Sequence, residues 1–285
     1  DTMPNAKAVI DLASEQTGLD IPALCFEEND KLNITEYTQI CMLAVEAAIY
    51  QAIIDKGITP DVTAGLSLGE YGALIASGAM TMADAFAVVR KRGIYMQEAV
   101  PTGGAMTAVL GLDPQVIEDI CKKTADETNS VVSVANYNCP GQIVITGEKA
   151  AVDAAAAACS EAGAKRCVPL KVSGPFHSAM LKGAGEKLAD ALESVEIHDI
   201  KVPYITNVTA DYVKSPADVK DYLTQQVSSS VRWQQTIERL IADGADEFVE
   251  IGPGRSLSGF MRKINRDVKV VNIDKLEDFE KYVNR

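Results

Sequence analysis

The stretch Asp61-Val62-Thr63-Ala64-Gly65-Leu66-Ser67-Leu68-Gly69-Glu70-Tyr71-Gly72-Ala73-Leu74-Ile75-Ala76 decides how the chain is read. Pro60 resets the backbone, the next six residues are short and β-prone, and Gly69 opens a helix that stops near Gly78. Ser67 is thereby set in Gly-x-Ser-x-Gly between a strand and a helix. That is the arrangement of a nucleophile elbow, where small residues let the chain turn sharply and the hydroxyl projects from the bend. The N–H of Leu68, at the start of the new helix, then faces the place where an oxyanion would form. The same five residues also suit a glycine-rich turn around an ordinary serine, so the flanking strand and helix carry the argument.

Outward from the elbow, helix and strand alternate with short turns, which predicts the α/β class. Thr35 to Lys56 has helical character, with Cys41, Val45, Ala48 and Ala52 near one face, and ends at Gly57. Thr81 can cap the next helix, which has Asp84 in its first turn and runs to about Val100. Pro101-Thr102-Gly103-Gly104 breaks it. There follow a strand (105–110), a helix (114–125), a strand (131–136), a turn through Asn138-Cys139-Pro140-Gly141, a strand (142–146), a helix (150–162) and a strand (165–172). This βαββαβ order is the ferredoxin-like pattern. It predicts a small domain over 103–172, inserted into an α/β-hydrolase-like core made of 1–102 and 173–285. Beyond it, helices are expected over 179–194, 217–226 and 233–243, with strands over 202–207, 247–251 and 268–273. No apolar run approaches the 18 residues of a membrane span, so no membrane partner is expected.

Composition narrows the function classes. The 285 residues carry 27 basic and 40 acidic side chains, a formal charge of −13. Phosphate neutralisation needs a basic face, so nucleic acid is not expected as the partner. The six cysteines, Cys25, Cys41, Cys121, Cys139, Cys159 and Cys167, form no CxxC pair and no metal-ligand spacing with the two histidines. Free thiols, a cytoplasmic location and no metal are the natural expectation. The sequons at Asn33 and Asn207 matter only in a secreted protein.

A serine hydroxyl needs a base, and only His177 and His198 exist. His177 follows Gly174-Pro175-Phe176 in an irregular segment between strand and helix, a common place for catalytic groups, although helix capping or packing would also suit it. His198 lies among charged residues and reads as solvated surface. No Asp stands out as the third member of a triad, so the group behind the histidine could be a carbonyl. Arg92 shares a helical stripe with Ala85, Val88, Val89 and Met96, and a charge there needs a partner. Arg90 neighbours Phe86 and Ile94, so periodicity does not choose between the two arginines.

Five segments together resemble the malonyl-CoA:acyl carrier protein transacylases: Gly-Leu-Ser-Leu-Gly-Glu-Tyr (65–71), Lys-Arg-Gly-Ile-Tyr-Met-Gln-Glu-Ala-Val-Pro (91–101), Asn-Tyr-Asn-Cys-Pro-Gly-Gln (136–142), Gly-Pro-Phe-His-Ser-Ala-Met (174–180) and Glu-Ile-Gly-Pro-Gly (250–254). They fall in order across nearly the whole chain. The resemblance implies Ser67 as nucleophile and His177 as base, the latter oriented by the backbone carbonyl of Gln226. It implies Arg92 as the group that binds the substrate carboxylate, with a planar guanidinium able to take both oxygens. It makes Phe176 the bulky residue that crowds out an α-methyl branch, where plain core packing is the alternative.

Two departures stand out. Leu66 occupies the position before the nucleophile where the family often has His. The family's N-terminal strand and Gly-Gln-Gly loop, which supplies the second oxyanion donor, is not among these residues, and the first residues match the helix that follows that loop. The expectation is therefore a sequence that starts past the loop. The Gly252-Pro253-Gly254-Arg255 turn lacks the spacing of a phosphate loop.

The implied reaction is ping-pong malonyl transfer from malonyl-CoA, through a malonyl-serine, to the phosphopantetheine thiol of acyl carrier protein, with no cofactor and a monomeric enzyme. Lys165, Arg166, Lys171 and Lys182 are weak candidates for docking an acidic carrier protein. The alternatives are a serine esterase or thioesterase with the same elbow, a non-catalytic docking subunit, and a polyketide-type acyltransferase with another extender unit.

Overall fold

The computed structural model describes residues 3–172 and 174–285. Residues 1, 2 and 173, which include both starting points of the expected larger domain, lie outside the described residues.

Helices α1 (Pro4–Thr17), α2 (Ile21–Phe26) and α3 (Thr35–Ile54) precede the elbow, and α4 (Gly69–Ser77) and α5 (Met82–Ala99) follow it. Then come β1 (Gly104–Leu110), α6 (Pro114–Thr128), β2 (Val132–Cys139), β3 (Gln142–Glu148), α7 (Lys149–Glu161) and β4 (Arg166–Pro169). The chain continues through α8 (Lys182–Glu193), α9 (Val219–Gln226), α10 (Trp233–Ala242), β5 (Glu247–Ile251), α11 (Ser256–Ile264), β6 (Lys269–Ile273) and α12 (Leu276–Val283). Single 3₁₀ turns at Ala179–Leu181 and Pro216–Asp218 lead into α8 and α9. The fold is mixed α/β.

The four strands β1 to β4 form one antiparallel sheet in the order β2-β3-β1-β4, with α6 and α7 packed on it over Val109, Ile117, Ile143, Ile145 and Val152. The central strands β1 and β3 are buried in continuous runs, 106–109 and 143–147, and Gly141, at φ 73°, makes the tight turn between β2 and β3 that a Cβ would strain. β4 ends at Pro169, earlier than the sequence suggests, although Leu170 still donates its N–H to the Met106 carbonyl at 2.9 Å.

The expected strands over 61–66 and 202–207 are not formed. They meet only through an isolated parallel bridge, Thr63 with Tyr204, and the remaining sheet of this part is the parallel pair β5 and β6. A strand needs a continuous neighbour for its ladder, and beyond that contact the 202–207 segment has only a second isolated bridge, antiparallel, between Ile205 and Tyr212.

The larger core is helical. α3 packs against α1 and α5, and Ile40, Cys41, Leu43, Ala44, Ala47, Ala48 and Ala52 are buried around most of its circumference rather than on one face. At 20 residues and a mean hydropathy of 1.3, α3 is long and apolar enough to cross a membrane by length and composition alone, contrary to the expectation above. Half of that window is buried inside the protein, as in a core helix. Gly93 permits the crossing with α5, since a Cβ there would lie 2.9 Å from the Glu36 Cα.

The small sheet is fastened beside the elbow. Val231 donates its N–H to the Ala135 carbonyl at 2.8 Å, Tyr137 donates to the Val231 carbonyl at 2.9 Å, and Ser230 Oγ donates to Val134 O at 2.6 Å. These bonds place the chain after α9 against β2, which brings α9's last residue, Gln226, into the site.

Candidate active site

The elbow is a strained bend held by remote groups. Ser67 has φ 52°, a left-handed value that a non-glycine residue adopts at a cost of about 1–3 kcal/mol. Asn207 offsets it from both sides, accepting from Ser67 N at 2.5 Å and donating Nδ2 to the Gly65 carbonyl at 2.6 Å. Gly65 is required for another reason, because a Cβ there would lie 1.9 Å from the Gly69 carbonyl oxygen. The Ser67 carbonyl accepts from Gln226 Nε2 at 3.0 Å.

His177 also sits at positive φ, 60°, in the turn before the 3₁₀ segment. Its Nδ1 lies 2.8 Å from the Gln226 backbone carbonyl, which can only accept, so Nδ1 carries the proton. Nε2 is then free to accept from Ser67 Oγ, which stands 2.8 Å away. Burial first, and the Arg92 charge second, push the imidazole pKa down to about 4, against its hydrogen bonds to the Gln226 and Ser229 backbones. The ring is therefore neutral at pH 7, the form that can take a proton.

Arg92 is 1% exposed and supplies the third group on Ser67: its Nη2 donates to Oγ at 3.1 Å and to Gln226 Oε1 at 3.0 Å. Nη1 donates to Gln39 Oε1 on α3, and the guanidinium lies 5.6 Å from the centre of the Tyr71 ring. Nε has no acceptor among the described residues. Burial lowers the guanidinium pKa, while Tyr71 and Glu70 raise it, and arginine's high starting value keeps the cation. Arg92 forms no ion pair among the described residues, so a buried cation faces the serine with neutral partners only. Arg90, which periodicity could not separate from it, turns instead to Glu36 at 2.8 Å and to the Tyr37 ring.

The other expected residues divide. The Leu68 N–H has no acceptor among the described residues and lies beside Ser67 at the N-terminus of α4. Phe176 is half-buried and packs against both the main core and a cluster of Met106, Ala108, Ala135 and Val144. His198 is elsewhere, with its side chain 39% exposed and 3.7 Å from Glu196. Lys165, Arg166, Lys171 and Lys182 are all exposed. Gly252 and Gly254 form the bend between β5 and α11 and hold none of the site's hydrogen bonds. Among the described residues, no group of three or more His, Cys, Asp or Glu side chains could hold a metal.

Three site residues escaped the sequence. Glu70 accepts from Gln226 Nε2 at 2.7 Å and from Asn207 N at 3.0 Å, and burial raises its pKa against those bonds. Gln39 and Asn207 complete the set. A polar residue in the first turn after the elbow was the one available signal, for Glu70. Gln39 sits in an apolar helix and Asn207 inside a sequon, where nothing local marks a partner 140 residues away from Ser67. Full burial of Asn207 removes that sequon from reach.

Residues 4–273 match the family described as acyl transferase domain. The chain is 45% identical over 282 residues to the malonyl CoA-acyl carrier protein transacylase of Bacillus subtilis, covering 98% of this chain and 89% of that protein. It is 42% identical over 275 residues to the protein of the same name from Staphylococcus aureus, covering 96% and 88%. Among solved structures, MCAT from Streptococcus pneumoniae superposes with a TM-score of 0.95 at 45% identity, covering all of this chain and 92% of that one. A malonyl-transacylase solved in complex with its type II PKS acyl-carrier protein superposes with a TM-score of 0.95 at 38% identity, covering 99% and 92%.

Proposed function

The chain belongs to the acyl transferase domain family, and from that premise we propose that it moves the malonyl group from malonyl-CoA to the phosphopantetheine thiol of an acyl carrier protein, for fatty acid elongation. The observation that carries this reading is Arg92, a buried cation without a carboxylate partner that donates to Ser67 Oγ at 3.1 Å. Malonyl differs from acetyl by one carboxylate, and a guanidinium at that distance from the acylated oxygen binds the difference.

In the first half-reaction Ser67 Oγ attacks the thioester carbonyl while His177 Nε2 takes its proton. The Leu68 N–H holds the oxyanion. The tetrahedral intermediate collapses, the C–S bond breaks, and His177 returns the proton to the departing CoA sulfur. In the second half His177 takes the proton of the carrier thiol, the sulfur attacks the ester, and Ser67 Oγ leaves with that proton. Gln226 O stabilises the imidazolium in both halves, in the place where serine hydrolases with a Ser-His-Asp triad keep a carboxylate. Phe176 crowds the α-carbon of the acyl group. The enzyme works in the cytoplasm as a monomer and docks its carrier through exposed basic residues.

The antiparallel order β2-β3-β1-β4 with two helices on one face supports a ferredoxin-like small domain over 103–172. The elbow and the parallel pair β5 and β6 support an α/β-hydrolase-like core from the flanking segments.

Mass spectrometry of the Ser67 peptide after exposure to malonyl-CoA tests the reading. A malonyl adduct, absent in Ser67→Ala and discharged by the carrier protein faster than by water, is expected. An unmodified serine overturns the proposal, and discharge to water at the same rate makes the protein a thioesterase.

A further inference from the structure

Glu70 touches no atom that would react, yet it joins the groups that do. It lies in the first turn of α4 and is fully buried. Its Oε2 accepts from Gln226 Nε2 at 2.7 Å. The same amide nitrogen donates to the Ser67 carbonyl, and the amide oxygen accepts from Arg92 Nη2 at 3.0 Å. Guanidinium, amide and carboxylate thus form a chain in which Gln226 stands between Arg92 and Glu70.

The order of that chain has two consequences. A carboxylate accepts only, so Glu70 obliges the Gln226 amide to present its nitrogen to Glu70 and its oxygen to Arg92. Reversed, the amide would set N–H groups against the guanidinium N–H groups. Direct pairing of Arg92 with Glu70 would also occupy the fork that an incoming carboxylate needs. With the amide interposed, Glu70 leaves the Arg92 fork unoccupied and Arg92 donors available.

We propose that Glu70 is a positioning residue for acyl selection, fixing the orientation of the Gln226 side-chain amide and, through it, holding the Arg92 guanidinium beside Ser67 Oγ. The inference rests on the malonyl-transfer reading, with Arg92 as the carboxylate-binding group. It assigns the Gln226 side chain a task separate from that of its backbone carbonyl, which serves His177.

The test compares Ser67 loading from malonyl-CoA and from acetyl-CoA in the full chain and in Arg92→Ala, Gln226→Met, Glu70→Ala and Glu70→Gln. Gln226→Met keeps the backbone carbonyl behind His177 and removes the relay together with the amide's bond to the Ser67 carbonyl, a loss that would weaken loading of both acyl groups alike. Gln226→Met and Glu70→Ala are expected to lower the malonyl-to-acetyl loading ratio by about tenfold or more, the scale of a lost hydrogen bond to a charged group. Glu70→Gln keeps an acceptor oxygen of the same reach and recovers most of that ratio. Equal losses for both acyl groups in Gln226→Met would make the relay merely structural and overturn the inference. If Glu70→Ala does not fold, Gln226→Met and Glu70→Gln decide by the same ratio. An unchanged ratio in Arg92→Ala would instead overturn the role of Arg92 on which the inference stands.

Discussion

Ser67 Oγ lies 2.8 Å from His177 Nε2 and 3.1 Å from Arg92 Nη2, so the atom proposed to carry the acyl group touches a base and a cation at once. The cation's other hydrogen-bond partners are Gln39 and Gln226, both neutral. Desolvating a guanidinium without a directly paired carboxylate is costly, which supports the proposal that Arg92 is kept for an anion arriving with the substrate.

Arg92→Ala should therefore cut malonyl loading by about 10²-fold while affecting acetyl loading far less. Arg92→Lys should not restore it, since an ammonium lacks the planar fork. The kcat/KM values for the two thioesters check this; parallel losses would remove Arg92 from acyl selection.

Acid should leave the base working well below the usual range of histidine. With the His177 pKa at about 4, Ser67 loading is expected to hold from pH 7 to about 5 and to halve near 4. The unfolded chain takes up this proton near 6.5 and the folded chain near 4. Between those values the unfolded state binds more protons, so stability falls as pH falls, by about 3 kcal/mol from this group. Denaturant titrations of wild type and His177→Ala across that window measure the difference. A loading midpoint near 6.5 would contradict the burial account.

The two glycines of the elbow should behave differently. Gly65→Ala drives a methyl into the Gly69 carbonyl and is expected to abolish Ser67 loading. Gly69 has nothing within 4 Å of an added Cβ and no positive φ, so Gly69→Ala is expected to keep or raise stability, by about 0.4–1 kcal/mol. Thermal unfolding of both variants checks the contrast.

Asn207→Ala leaves the Ser67 N–H and the Gly65 carbonyl without their shared partner. A destabilisation of about 2–4 kcal/mol is expected in urea, with loss of acyl loading, because the strained φ of Ser67 loses its clamp.

Phe176→Ala should raise the ratio of methylmalonyl to malonyl loading by about tenfold, the value of one added methyl in a relieved pocket. An unchanged ratio would leave Phe176 as the packing residue that joins the two cores.

Much of the fold was legible because it is local. The elbow, α4 with its left-handed Gly78 cap, α5 with its Thr81 cap, and the order β1-α6-β2-β3-α7-β4 follow from residues within a few positions of one another. The segments over 61–66 and 202–207 have the same local character, yet they reach only isolated bridges, since pairing depends on what lies alongside. His177 was legible by elimination, and Leu68 by its place next to the serine.

The sequence alone determined which residue types were present for acyl chemistry: one serine on a bend, two histidines and two arginines two positions apart. Tertiary structure chose among them. Arg90 and Arg92 share a helix and differ by about 200° around its axis, so the packing of α5 against α3 sends one to Glu36 at the surface and the other to Gln39 in the core. Glu70 and Asn207 join the site through hydrogen bonds spanning 137 to 156 residues of chain. Such bonds exist only after separate elements have packed, and no spacing in the sequence encodes them.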